Sequence, residues 1–394
     1  MNTSFGSRKI YVPLRGFATA ASLFLAFKYS KDLGVINRSY IAIIMTSSIL
    51  SLTIFTSGTT LTLRNIKLDI SKKRLNSSFS SLIIIEGILG FILFYFSLLI
   101  FSLLKSPIPN QLIIISSFYF VSSFAHLIAL ESLLAQVKFK LAGKYEFLTI
   151  LLQILIYTFS GLISSVSIAV RLLLTFTLSY IIVVLLILIK RDLQVSVFKP
   201  NFEPQLFWNL CKNKHLINTS LGFVDRIDRI MIAWILPTIN VGQYSAMSSL
   251  VSITRFIPDA ISKILVAGKV SSKYRIARYI AMSIGLILLG VLSLIPISQW
   301  LISRLLGPEW LLPWYVSGIF LLQELGRGTF QILQNRESRN SQSVTAHNAS
   351  LILIVFSLVL GAIFALLLQL PGVPLGFAIA YLFAILYLRR NKNE

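Results

Sequence analysis

Apolar stretches of 17–25 residues follow one another along almost the whole chain, broken by short basic connections. A stretch of that length spans the ~30 Å hydrocarbon core of a bilayer as a helix. Inside lipid every backbone polar group must be satisfied within the protein, so such segments form helices rather than open sheets. The stretches lie near residues 10–27, 39–60, 80–104, 111–135, 147–165, 171–189, 216–236, 241–262, 279–301, 311–333, 348–369 and 373–388. The run 147–189 is too long for one span and is divided around Ser164–Arg171. The expected fold is an all-α polytopic membrane protein of about twelve transmembrane helices in two six-helix bundles. The expected domains are 1–190, a cytoplasmic linker 191–214, and 215–394. The first apolar segment reads as the start of this series and not as a cleavable signal.

The formal charge of +22 invites a nucleic-acid reading, but its distribution along the chain opposes it. Of the 36 Lys and Arg residues, 25 fall in connections on one side of the spans and six on the other. The six are Lys28, Lys31, Arg38, Lys105, Arg171 and Arg304. The positive-inside rule then puts both termini in the cytoplasm, and the basic side can also meet anionic membrane lipids. No nucleic-acid partner is expected.

Five arginines remain, and they lie within spans: Arg15, Arg226, Arg229, Arg255 and Arg327. Arg15 sits near a helix end and could snorkel to the interface. Arg226 and Arg229 lie in the unusual stretch Gly222–Pro237, where Asp225, Arg226, Asp228 and Arg229 occupy the middle of an otherwise apolar helix, and Arg255 and Arg327 fall at middle or inner depth of later spans. One charge at mid-membrane costs about 2.5–3.5 kcal/mol on insertion scales, so four within five residues call for mutual pairing or water. Asp225 and Arg229 are spaced i, i+4 for an ion pair along the helix. Two readings follow: a structural ion-pair cluster, or the polar wall of a transport cavity. Arg255 with Asp259, and Glu324 with Arg327, repeat the pattern of nearby opposite charges in the second half. Glu86, His126 and Glu131 are isolated polar groups better suited to helix packing than to ligand binding.

Enzyme signatures are missing. There is no HExxH, GxSxG, P-loop or GxGxxG sequence, so no catalytic residue and no cofactor is expected. Cys211 stands alone, which excludes an internal disulfide and a cysteine-built metal site. A faint internal repeat pairs Ile36-Asn37 and Tyr40-x-Ala42 with Ile239-Asn240 and Tyr244-x-Ala246. Repeats with six spans each run parallel, related by an axis along the membrane normal.

Asp225-Arg-Ile-Asp-Arg-Ile-Met-Ile, followed by Val241-Gly-Gln-Tyr-Ser-Ala-Met247, resembles the seventh and eighth helices of polysaccharide flippases. These are the Wzx-like O-antigen exporters of the multidrug/oligosaccharidyl-lipid/polysaccharide (MOP) superfamily. Lys31-Asp-Leu-Gly34 is similar to the turn between that family's first two helices, and Leu306-Gly-Pro-Glu-Trp310 to its outer loop after the ninth. The first Gly-x-Tyr of the family is replaced here by Arg38-Ser-Tyr40. The resemblance implies transport of an undecaprenyl-pyrophosphate-linked oligosaccharide across the bacterial inner membrane by alternating access, for O-antigen or another surface polysaccharide. It also implies a possible partner in the polymerase of the same pathway. Arg226, Arg229, Arg255, Arg327 and Arg15 would then line the substrate cavity, since arginine suits a diphosphate. Asp225 or Asp228 would carry a coupling proton or Na⁺. Three alternatives stay open: a MATE-type multidrug or cation antiporter, which should have an acidic cavity, a membrane polymerase or ligase of the same pathway, which should have a large outer loop, and a non-transporting structural membrane protein.

Overall fold

The computed structural model describes residues 3–65, 72–104, 107–135, 138–161, 166–190, 192, 204–255, 258, 300–337 and 344–390. All regular structure among them is helical: α1 (Thr3–Asn65), α2 (Lys72–Leu104), α3 (Asn110–Ala135), α4 (Phe139–Ser160), α5 (Ile168–Ile189), α6 (Pro204–Ile235), α7 (Thr238–Val251), α8 (Trp314–Glu337), α9 (Val344–Leu368) and α10 (Gly372–Arg390). Short 3₁₀ turns at Ser252–Arg255 and Pro308–Trp310 complete the set. The expected ninth span, the end of the eighth, and Asp259 lie outside the described residues. An all-α polytopic membrane fold is therefore what the chain adopts.

Helix α1 contains an apolar run of 41 residues, Gly16–Thr56. At 1.5 Å per residue it would extend about 60 Å, twice the hydrocarbon thickness. The chain resolves this at Gly34, whose φ of 68° and ψ of 169° break the helix into two arms. Only glycine occupies that backbone region without steric cost. The two spans expected at 10–27 and 39–60 are these arms. Their junction is a single residue, not the eleven-residue connection 28–38, because helical hydrogen bonding continues up to the break and resumes directly after it.

The sides of the helices carry the imprint of lipid. On α5, Leu174, Leu178, Ile181, Leu185 and Leu188 are exposed along one stripe, while Leu172, Leu173, Val183 and Ile187 are buried on the other. Helix α9 likewise exposes Leu351, Val355, Val359, Ile363 and Leu366. Apolar patches of this extent are not left facing water. Seven described segments are long and apolar enough to cross a membrane; α6 and α8 fall short of that standard in composition, and α7 in length, with 14 described residues.

The chain divides into two compact units. The first comprises Met1–Leu25, Ser47–Leu103 and Pro107–His215, and the second Ala26–Thr46, Leu104–Ser106 and Leu216–Glu394. In the first, α3, α4 and α5 pack on one another around Leu130, Leu133, Leu134, Ala142, Val183 and Ile187. His126 is absorbed into this packing: it stacks on Tyr180 at 4.6 Å and its Nε2 meets Thr149 Oγ1 at 2.9 Å. In the second, α10 lies along both α8 and α9. The part of α1 around Gly34 belongs to this second unit, whereas the domain boundary read from the sequence falls at 190–215.

Replacing Gly34 by alanine should lower the protein's thermal stability in detergent by on the order of 1–3 kcal/mol, since alanine cannot relax into that backbone region. Gly318 is the control: it is helical, and a Cβ added there would meet no heavy atom within 4 Å, so Gly318→Ala should leave the melting temperature unchanged or raise it.

Candidate functional site

Among the described residues, five arginines and three carboxylates gather in the second unit, on α1, α6, α8 and the turn that follows α7. On helix α6 the side chains of Val224, Ile227, Ile230 and Met231 are buried. Its four charges therefore enter the same interior. Asp225 and Asp228 are buried there, and Arg226 and Arg229 are half-buried.

Asp225 does not pair along its own helix. Its Oδ1 accepts from Arg327 Nε at 2.7 Å, and its Oδ2 lies 3.8 Å from Arg255 Nη1. The intrahelical Asp225–Arg229 ion pair expected from their spacing is thus absent, because α8 supplies a better-placed guanidinium. Glu324 takes Arg255, whose Nε donates to both carboxylate oxygens at 2.9 Å, with a further short contact from Nη2 to Oε1. The result is a ladder running Arg327, Asp225, Arg255, Glu324 across three elements. Gln334 braces the same helices, donating to Ile217 O, Ser220 Oγ and Ser350 Oγ at 2.8–3.0 Å.

The rest of the cluster is differently satisfied. Asp228 Oδ2 accepts from the Tyr244 hydroxyl at 2.8 Å and Oδ1 from the Arg229 backbone N–H at 2.7 Å. No cationic side chain among the described residues comes within ion-pair distance of it. Arg229 Nη2 donates to Ser248 Oγ at 2.8 Å, while its buried Nε has no partner. Arg38, on the second arm of α1, donates to Ser245 Oγ at 3.1 Å and to Ser249 Oγ at 3.4 Å. Ser245, Ser248 and Ser249 share one face of α7 at i, i+3 and i+4, so they form a hydroxyl shelf under two guanidinium groups. Arg226 has neither a hydrogen bond nor an ion pair to a described residue.

Arg226, Arg229, Arg255 and Arg327 are therefore brought together with Asp225 and Asp228. The side chain of Arg15 lies outside the described residues. Three features escaped sequence reading. Arg38 looked like an outer-loop cation, yet it is buried, because the helix restarts at residue 35 and not at residue 39. The signal that could have found it is the Leu-Gly34 turn itself, which puts Arg38 one turn inside the second arm. Tyr244 was legible only as a letter of the repeat, and the serine shelf only as three hydroxyls. Close packing holds Arg38 against α7: a Cβ on Gly242 would stand 2.4 Å from Val35 O and 2.9 Å from Ser39 Oγ. Ser39 Oγ also donates to Thr238 O at 2.8 Å.

Neither protein-family models nor curated proteins give a match to this sequence. Solved structures do. The lipid II flippase MurJ in an inward closed conformation superposes with a TM-score of 0.73 at 17% identity, over 98% of this chain and 87% of that one. The chain shares the fold of that structure. A eukaryotic MATE transporter, AtDTX14, aligns with a TM-score of 0.67 at 12% identity, covering 98% and 95% of the two chains. An inward-facing multidrug resistance MATE transporter of the MOP superfamily gives 0.63 at 16% identity, covering 94% of each. At these identities the likeness is one of MOP-type architecture.

Removing one member of a buried ion pair leaves the other uncompensated, at a cost of roughly 3–5 kcal/mol. Asp225→Asn should therefore reduce the amount of folded protein in membranes. Adding Arg327→Gln should restore it, and adding Arg229→Gln should not, as quantified by fluorescence-detected size-exclusion chromatography.

Proposed function

We propose that this chain is a flippase that moves an undecaprenyl-pyrophosphate-linked oligosaccharide across the bacterial inner membrane by alternating access. The observation that carries this reading is the unequal satisfaction of the cluster. Its ladder of Arg327, Asp225, Arg255 and Glu324 is internally neutralised, whereas Arg38 and Arg229 donate to serine hydroxyls and Arg226 makes no hydrogen bond or ion pair to a described residue. A buried cation without a carboxylate costs free energy unless an anion arrives. A diphosphate is such an anion, and guanidinium groups bind it through paired charge-assisted hydrogen bonds. The MATE likeness favours a cation antiporter as the second reading. A cavity for organic cations needs surplus acid, however, and among the described residues of this cluster arginines outnumber carboxylates five to three.

The coupling ion, in this proposal, belongs to Asp228. Asp225 is committed to Arg327 and Arg255 as structural glue. Asp228 has a tyrosine hydroxyl and a backbone N–H as its partners, which leaves it free to exchange a proton or Na⁺. Asp228→Asn should leave protein abundance intact and abolish the dependence of transport on the ion gradient.

Alanine at Arg38, Arg226 and Arg229 should each reduce surface glycan at normal protein level, by about tenfold or more in cargo affinity. Lysine should restore part of it, since it keeps the charge and loses the planar fork. Unchanged glycan in the triple alanine variant would remove these residues from the site. The orientation is checked separately. In a Cys211→Ser background, single cysteines at Asn110 and Gly307 should react with an impermeant thiol reagent from outside, and ones at Asn76 and Gly143 should not.

A further inference from the structure

A groove of about 410 Å³ runs between α4 and α5 in the first unit, far from the charged cluster in sequence and belonging to other helices. Its walls are Leu155, Ile156 and Phe159 from α4 and Leu174, Thr175 and Leu178 from α5. One charge stands at its end: Arg171, four residues into α5. From Arg171 to Leu178 the groove extends about 10 Å along the helix, at 1.5 Å per residue.

The plain role of Arg171 is to close the C-terminal end of α4. Its Nη1 donates to Ser160 O at 3.2 Å, where a cation complements the helix dipole. That role uses one of its five N–H donors. Its Nε is buried without a partner, and no carboxylate among the described residues reaches it. It also lies on the side of the spans that carries only six basic residues, so no neighbouring basic loop shares its work. A half-satisfied guanidinium above an apolar slot is complementary to a phosphate joined to a hydrocarbon chain. The groove walls are open to the side: Phe159 is 66% exposed and Leu178 45%. A chain therefore enters from the bilayer and needs no passage through the protein.

We infer that Arg171 and the α4–α5 groove bind an anionic glycerophospholipid, its phosphate on the guanidinium and one acyl chain between Phe159 and Leu178. The site is built from other helices than the proposed transport site and does not depend on that reading.

The test uses the full chain in nanodiscs made from equal parts phosphatidylglycerol and phosphatidylethanolamine, with retained lipid counted by native mass spectrometry. The wild type should retain phosphatidylglycerol preferentially. Arg171→Gln keeps a donor for Ser160 O and removes the charge, so it should fold normally and lose about tenfold in phosphatidylglycerol retention. Arg171→Lys should keep most of it. Leu174→Trp, which fills the slot and leaves the charge, should also lose the lipid. Equal retention of the two lipids by wild type, or undiminished phosphatidylglycerol in Arg171→Gln, would overturn the inference. Displacement of phosphatidylglycerol by an equimolar polyprenyl phosphate, dependent on Arg171, would overturn the assignment to a glycerophospholipid.

Discussion

The pairing of Asp225 with Arg327 is the interaction on which the second unit depends. It joins α6 to α8 within the apolar interior, where neither charge could stand alone. Arg255 extends it, touching Asp225 on one side and chelating Glu324 on the other. Because the ladder crosses between elements, it fixes the register of α6 and α8 in a way that an intrahelical pair could not. That register in turn decides which residues of α6 turn toward α7. Asp228 and Arg229 do so, and they meet Tyr244 and Ser248 there.

The division of labour within the cluster follows from arithmetic that the fold imposes. Among the described residues three carboxylates stand against five arginines, and two of the three are engaged in the ladder. Of the arginines left over, Arg38 and Arg229 are held by serine hydroxyls, which stabilise a guanidinium by hydrogen bonding without cancelling its charge. In the proposed function, such a site keeps its attraction for an anion. A fully neutralised site would hold the same helices together and bind nothing. The half-satisfied Arg229, with one nitrogen on Ser248 and a buried Nε without a partner, illustrates the difference.

Much of the fold was legible because lipid punishes every exception. Span lengths, the long run that had to be divided, and the basic asymmetry all follow from bilayer thickness and charge, and the described helices sit where the span lengths put them. The elements that carry the site were also legible, since charges inside an apolar helix announce themselves. Their partners were not. Spacing along α6 proposed Asp225 with Arg229, and that pairing failed because in a bundle the neighbouring helix is as near as the next turn, and sequence spacing reports only the turn. Arg38 was hidden by a different cause. Polar residues from Lys28 to Arg38 look like a loop, whereas the chain needs a single glycine at position 34 to break the helix. The hydroxyls of Ser245, Ser248 and Ser249 carried no signal until Arg38 and Arg229 were seen lying against them.

The central claim is that the surplus arginines receive an anionic, lipid-linked headgroup. The most direct measurement is translocation in proteoliposomes containing the purified chain and a fluorescent polyprenyl-pyrophosphate-linked sugar, with an organic cation dye assayed in parallel. The account predicts that the sugar lipid crosses, that replacing Arg226 and Arg229 by alanine stops it, and that the dye is not moved. Transport of the dye with no movement of the sugar lipid would contradict it.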